Sequence, residues 1–263
     1  MLGPILFALL VGFLVGLTGV GGGSLMSPFL LALGLPAPTA VGTDLVYATI
    51  TKLTGSVQHY RQHSINFQVV KFMALGSVPA GLLGVVTVNW LENSFDPDKV
   101  NTILVTAIAL VVILAGASLL IRNFIPDNPG KRSFIKWDGE SPMSLRRKAL
   151  TISLGATGGY LVGLTSIGSG TMIAIILLLL YPLSPATIVG TDVAHATILS
   201  LVVGIAHAVS GNVDFGMVGT LLIGSIPGVL IGSRLAKVIP GRPLRIVLAG
   251  MLIFVGVRTL LSA

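Results

Sequence analysis

Cysteine is absent from this chain, and charged side chains are scarce. With no Cys among 263 residues, disulfides, thiol catalysis and thiolate metal sites are excluded, and cysteine usage gives no redox compartment. Charged residues make up 10% of the chain, against about 25% in soluble domains, and hydrophobic residues make up 53%. So few polar residues cannot cover the surface of a soluble protein of this size. The composition therefore predicts an all-α polytopic membrane protein embedded in a lipid bilayer.

Acidic residues and the usual catalytic motifs are also lacking. The chain has only 9 acidic residues and 16 basic ones, which gives a net charge of +7. The basic residues lie in short loops, which is typical of membrane orientation and not of nucleic-acid binding. The chain contains no HExxH zinc motif, nucleophile elbow or P-loop lysine, so ATP hydrolysis is unsupported. We therefore predict a protein that is not an enzyme and needs no cofactor or metal.

What the chain does contain is an internal repeat. Three motifs return at an offset of 147 or 148 residues: Gly12–Thr18 as Gly159–Thr165, Val41–Asp44 as Val189–Asp192, and Gly76–Pro79 as Gly224–Pro227. Duplicated apolar halves are a common architecture of membrane transporters, which place the substrate site between the two copies.

Hydrophobic patterning divides each half into five apolar segments. They lie near 4–20, 24–35, 38–60, 67–90 and 100–123, and near 148–167, 170–182, 186–210, 213–238 and 241–262. This predicts a first transmembrane repeat over 1–124, a linker over 125–147 and a second repeat over 148–263. The second segment of each half is too short to cross a hydrocarbon core of about 30 Å. We therefore expect each repeat to start with a broken or re-entrant helix hairpin, joined at glycine-rich residues 19–23 and 166–170.

Loop charges orient the two halves. Segment 122–148 is strongly basic and is predicted to be cytoplasmic, whereas the preceding loop, 91–99, is mainly acidic and is predicted to lie outside. In the second half the bias is reversed, since the counterpart of the acidic loop carries Arg234, Lys237 and Arg242. Equivalent loops with opposite bias predict inverted-topology repeats with both termini outside.

Four ionisable residues fall at membrane depth, where they are costly and usually functional. Asp44 and Asp192 are repeat partners and are candidates for coupling or gating; alternatively, each carboxylate caps backbone N–H groups of a broken helix. Lys52 could contact an anion, pair with Asp44, or extend its ammonium to the cytoplasmic face. His195 could donate to substrate or relay protons, or could simply be hydrogen-bonded within the bundle.

The glycine-rich breaks are the stronger indication of a site. A helix N-terminus offers unpaired N–H groups and partial positive charge, and glycine allows a ligand close to the backbone. Two such ends would form a small-anion site without a dedicated arginine. The predicted substrate-binding residues are Gly21, Gly22, Gly23, Ser24, Thr43, Asp44, Ser166, Gly168, Ser169, Gly170, Thr171, Thr191 and Asp192. The alternative is that these glycines only permit tight turns and packing. GxxxG spacings elsewhere indicate close helix packing, either internal or in a homodimer.

With its glycine-rich run from Gly12 to Gly23, the following Pro28, the Gly42-Thr43-Asp44 motif and their second copies, the chain resembles the TauE/SafE sulfite exporter family over essentially its whole length. The resemblance implies a prokaryotic plasma-membrane carrier of sulfite, sulfonates or other small sulfur-bearing anions. The second break departs from the family pattern of the first, with Ser166 in place of Gly19 and Ser169 in place of Gly22.

Together these observations predict a secondary transporter that moves a small sulfur-containing anion by alternating access. The family resemblance implies export, and coupling to protons is one option for the energy source. Two other functions remain open at this point. One is a passive anion channel, and the other is an intramembrane enzyme that uses Asp44 and Asp192.

Overall fold

The computed structural model of the chain is built from α-helices. It describes residues 2–18, 23–122, 141–168, 170, 172–235 and 241–261, and no strand occurs within these ranges. The first half forms α1 (Leu2–Thr18), α2 (Gly23–Ala32), α3 (Ala37–Arg61), α4 (Phe67–Ser94) and α5 (Pro97–Arg122). The second half forms α6 (Leu145–Thr165), α7 (Met172–Leu180), α8 (Pro185–Val209), α9 (Phe215–Leu235) and α10 (Gly241–Leu261).

Within the described residues, each half contains the five helices that the sequence predicts, and the second helix of each half is short. Helix α2 has 10 residues and α7 has 9, or about 15 Å and 14 Å of rise. Four of the described helices are long and apolar enough to span a membrane, namely α4, α5, α8 and most of α9. Helices α1 and α10 contain shorter apolar stretches. This arrangement matches a polytopic membrane protein in which α2 and α7 are each too short to span the hydrocarbon core alone.

Short polar residues mark where helices begin. The side chain of Asn66 accepts from the N–H of Val69 at the start of α4, and Ser184 accepts from the N–H of Thr187 at the start of α8. Such caps satisfy N–H groups that have no partner within the helix. The helix bounds thus follow local chemistry that interrupts otherwise continuous apolar sequence.

Glycine lets helices from opposite halves pack backbone to backbone. On α9, Gly224 meets Ile5 and Leu9 of α1, and Gly232 meets Phe13 and Leu17. Helices α4 and α6 form the equivalent pair through Gly76, Gly84, Gly155, Gly159 and Gly163. Small residues allow this close approach. In a bilayer, van der Waals packing and not the hydrophobic effect drives helix association. Of the two options that the GxxxG spacings left open, the structure uses these glycines for internal packing.

The same contacts give the relative directions of the helices. Later residues of α1 contact later residues of α9, so these two helices run parallel. Helix α3 runs antiparallel to its repeat partner α8, because Gly55 faces Val193 whereas Gly204 faces Val46. Helices α5 and α10 are also antiparallel, since Gly116 faces Ala249 while Gly256 faces Ala109 and Ile113.

These directions define two ends of the bundle. The terminus end contains the starts of α1, α3, α5 and α9 and the last turn of α10. The linker end contains the starts of α4, α6 and α8 and the last turn of α5. The linker that joins the halves lies outside the described residues over most of its length, at 123–140.

We predict that Gly228→Ala destabilises the protein and that Gly219→Ala on the same helix does not. A Cβ atom on Gly228 would lie within 3.0 Å of backbone atoms of Leu9 and Phe13, whereas nothing lies within 4 Å of one on Gly219. Overpacking costs about 1–3 kcal/mol, while replacing an exposed helical glycine by alanine is neutral or slightly stabilising. Thermal unfolding of the purified variants in detergent measures both effects. Equal unfolding temperatures for the two variants would contradict the α1–α9 contact.

Candidate functional site

The break between α6 and α7 lies against the buried carboxylate of Asp44. Helix α6 ends at Thr165, and Ser166 takes a left-handed conformation with φ of 63°. Its hydroxyl donates a 2.7 Å hydrogen bond to Oδ2 of Asp44, and the Ser27 hydroxyl of α2 donates another of 2.7 Å to the same oxygen. Asp44 is fully buried. One carboxylate oxygen thus ties α2, α3 and the end of α6 together.

Backbone conformation explains why glycine and serine form this break. Gly168 and Gly170 have φ values of 128° and 101°, a region that side chains make unfavourable. Ser166 is not a glycine, so its left-handed backbone costs about 1–2 kcal/mol. Its hydrogen bond to Asp44 offsets part of that cost, which explains why serine can stand here where the first half has Gly19.

Asp192 occupies the repeat-equivalent position on α8 but has different neighbours. It is 2% exposed, receives a hydrogen bond from the backbone of Gly170, and interacts electrostatically with Lys52. Segment 166–170 therefore extends from the surroundings of Asp44 to those of Asp192. Within the part of the chain that the structure describes, Oδ1 of each aspartate has no hydrogen-bond partner. A buried carboxylate oxygen without a donor is unusual and marks a place for a proton, a water or a polar ligand.

Thr43 and Thr191 act across the boundary between the halves. The hydroxyl of Thr43 accepts from the N–H of Asp214 at the start of α9, and that of Thr191 accepts from the N–H of Asn66 at the start of α4, each at 2.9 Å. These bonds satisfy the first turn of a helix in the opposite half. The structure therefore places both threonines beside the aspartates as supports for the scaffold.

His195 lies one turn beyond Asp192 and is fully buried. Its Nε2 is hydrogen-bonded to the Ser77 hydroxyl of α4 at 2.7 Å. The repeat-equivalent residues are Tyr47 of α3 and Ser225 of α9, whose side chains approach each other. A polar residue of the third helix thus meets a serine of the opposite half's fourth helix in both repeats.

Several predicted site residues lie at the edge of what the structure describes. Gly23 begins α2, and Ser24, in its first turn, is buried with 3% exposure. Gly21, Gly22, Ser169 and Thr171 lie outside the described residues. Their assignment to substrate binding stays a prediction.

A large cavity opens at the terminus end. It measures about 1010 Å³ and lies between α1, α2, α5 and α10. Leu25 and Phe29 of α2 line its deeper wall, and the ring of Phe29 stacks on Phe7 with centroids 3.6 Å apart. Ser27 lies on the same short helix and contacts Asp44. Helix α2 therefore separates the cavity from the buried carboxylate.

Among the described residues, a much smaller cavity lies beside α7, between α4 and α6. The cavity there measures only about 10 Å³, among residues that include Met73, Ile173 and Leu177. The hydroxyl groups of Thr151 and Tyr181 are in hydrogen-bonding contact beside it, and Met143 is buried in the same apolar cluster. The two halves thus share a sequence pattern but differ in how far their short helix is covered.

Three contributors to this region were not predicted from the sequence. Ser27 has no polar counterpart, because Ala174 occupies the matching position in α7. Thr151 and Tyr181 lie in different segments, and nothing in their local sequence indicates contact. The repeat did hold a signal for Ser77 and Ser225, since both lie in the Gly-Ser-x-Pro motif of their half.

Comparison with known proteins agrees with this architecture. The chain is 43% identical over 254 residues to "Probable membrane transporter protein YjnA" of Bacillus subtilis, an alignment that covers 97% of each chain. It is 29% identical over 241 residues to "Probable membrane transporter protein YdhB" of the same organism, covering 90% of each. No solved structure gives a significant match. The sequence profile of the family described as Sulfite exporter TauE/SafE matches residues 5–259, and the chain therefore belongs to the TauE/SafE family of membrane transporters.

Proposed function

We propose that this protein is a secondary transporter that moves a small sulfur-containing anion, sulfite or an organosulfonate, by alternating access. The observation that carries the proposal is the large cavity beside α2. It measures about 1010 Å³, whereas the cavity beside the repeat-equivalent helix α7 measures about 10 Å³. The substrate class comes from the family, whose description names sulfite export.

Helix directions support inverted-topology repeats. Partners α3 and α8 lie side by side and antiparallel, as do α5 and α10, which is what a two-fold axis in the membrane plane requires. The exchange of partners, α1 with α9 and α6 with α4, obeys the same symmetry. Loop charge then supports a cytoplasmic linker end and termini outside, so that the cavity faces out.

The anion would bind along the breaks, near the bilayer midplane. Segment 166–170 contributes Ser166 and glycines with positive φ, and the buried Ser24 adds a hydroxyl at the start of α2. Irregular backbone at membrane depth is tolerated where it is covered by protein or lines a cavity. Asp44 would hold this segment in place from α3.

The register of α3 and α8 argues against an aspartyl enzyme. Gly204 faces Leu45 and Val46, and Gly55 faces Val193, so Asp44 and Asp192 are separated by roughly 20 Å along the helix axes. Paired catalytic carboxylates share a proton at about 3 Å. The difference in size between the cavities beside α2 and α7, in turn, favours a carrier over a channel that conducts continuously.

We predict that Gly168→Ala reduces sulfite uptake at least tenfold and that Gly211→Ala does not. Both glycines have positive φ, at 128° and 81°, so alanine strains the backbone in each variant, but only Gly168 lies in the break. Saturable uptake of labelled sulfite into proteoliposomes, with and without a pH gradient, measures transport. Thermal unfolding shows whether each variant is folded. Normal uptake by folded Gly168→Ala protein would refute the placement of the anion.

A second prediction concerns access from the two sides. The chain has no cysteine, so Leu25→Cys and Leu177→Cys each provide a single reporter. A membrane-impermeant maleimide should label Leu25→Cys from outside and leave Leu177→Cys unlabelled from inside. Adding Tyr181→Phe, which removes the hydroxyl contact with Thr151, should increase labelling of Leu177→Cys and decrease labelling of Leu25→Cys. Labelling that rises on both sides together would indicate a channel.

A further inference from the structure

The two repeat-related carboxylates have unlike surroundings. Asp44 accepts hydrogen bonds from Ser27 and Ser166, both at 2.7 Å. The positions that match these serines in the opposite half are Ala174 and Gly19, which carry no hydroxyl. Asp192 therefore cannot be held in the way that Asp44 is held.

Lys52 lies nearer to Asp192 than to Asp44 along the helix axes, although Asp44 is on the same helix two turns away. Gly55 on α3 faces Val193 on α8, which sets Lys52 about 7 Å from Asp192 along the helix axes, against about 12 Å from Asp44. The electrostatic interaction of the Lys52 ammonium with Asp192 is accordingly larger than that with Asp44. The position that matches Lys52 in the second half is Ser200, which is buried and uncharged. Lys52 is thus a half-buried cation that lies toward one of the two aspartates.

We propose that Lys52 forms a charge pair with Asp192 across the boundary between the halves and is the cationic ligand of the transported anion, whereas Asp44 serves as a structural tie. The anion-ligand part rests on the proposed transport function. It deepens that function by naming the residue that contributes positive charge to the site.

The pair explains how an anion could bind without becoming trapped. An ammonium at membrane depth needs a compensating charge, which Asp192 supplies while the site is empty. An arriving anion competes with Asp192 for the same ammonium, and the repulsion between the two negative charges favours release. Asp192 thus lowers affinity and speeds turnover.

The charge pair is tested without any substrate. Lys52→Met leaves a buried carboxylate uncompensated and should lower the unfolding temperature of the purified protein. Adding Asp192→Asn should restore it, whereas adding Asp44→Asn should not, because the uncompensated charge stays on Asp192 while the Asn amide oxygen can still accept from Ser27 and Ser166. Lys71→Met, on an exposed lysine at the linker end, is the matched control and should have no effect. Restoration by Asp44→Asn in place of Asp192→Asn would overturn the pairing.

Sulfite transport tests the role of Lys52 as a ligand. In proteoliposomes, Lys52→Met should raise the KM for sulfite about tenfold to a hundredfold, the loss expected for one charged hydrogen bond. Asp192→Asn should lower both KM and maximal rate, because the competing charge is gone. An unchanged KM in folded Lys52→Met protein would overturn the ligand role. Wild-type protein that takes up no sulfite would instead refute the proposed substrate, while the unfolding measurements still decide the pair.

Discussion

The fold depends on holding a broken helix inside the membrane. Backbone groups in a bilayer must find partners within the protein, so a segment such as 166–170 is stable only where other elements cover it. The two hydrogen bonds to Asp44 fasten that segment to α2 and α3. Close packing of α4 against α6 through glycine keeps the remainder of α6 in place. Without these contacts the left-handed turn at Ser166 would cost energy with nothing to offset it.

The scaffold and the site follow different rules of symmetry. The scaffold bonds are paired. Thr43 and Thr191 each accept a 2.9 Å hydrogen bond from the N–H of the residue that precedes a helix of the opposite half. The site is not paired, since Ser27, Ser166 and Lys52 have no equivalents of the same chemistry in the other half. Duplication accounts for the first set. The second set shows where the two copies have diverged, and divergence next to buried carboxylates is where a transported anion would distinguish the halves.

Much of the architecture could be predicted from sequence because its determinants are local. Apolar segments, capping residues such as Ser184 and the short segments that became α2 and α7 all lie within a few residues of what they determine. The repeat added a long-range rule, since it related Thr43 to Thr191 before any contact was known. Asp44 and Asp192, which the sequence predicts at membrane depth, are both buried inside the bundle.

The partners of those aspartates could not be predicted, because they come from elements far along the chain. Sequence spacing associated Lys52 with Asp44, two turns away, whereas the antiparallel register of α3 and α8 sets it nearer Asp192. Ser27 sits in an apolar helix with no repeat copy, so neither composition nor symmetry singled it out. Such pairings depend on helix register, which only the folded structure supplies.

One asymmetry in the structure bears directly on transport. Equivalent sequences place α2 beside a cavity of about 1010 Å³ and α7 beside one of about 10 Å³. If each half can adopt the arrangement of the other, exchanging them opens the linker end and closes the terminus end, with Asp44 and Asp192 near the pivot. Among the described residues, the contacts that cover α7 include the Thr151–Tyr181 hydrogen bond and the apolar cluster around Met143. An anion that binds one arrangement more tightly than the other would shift the balance between them, because a ligand moves such an equilibrium only through its difference in affinity.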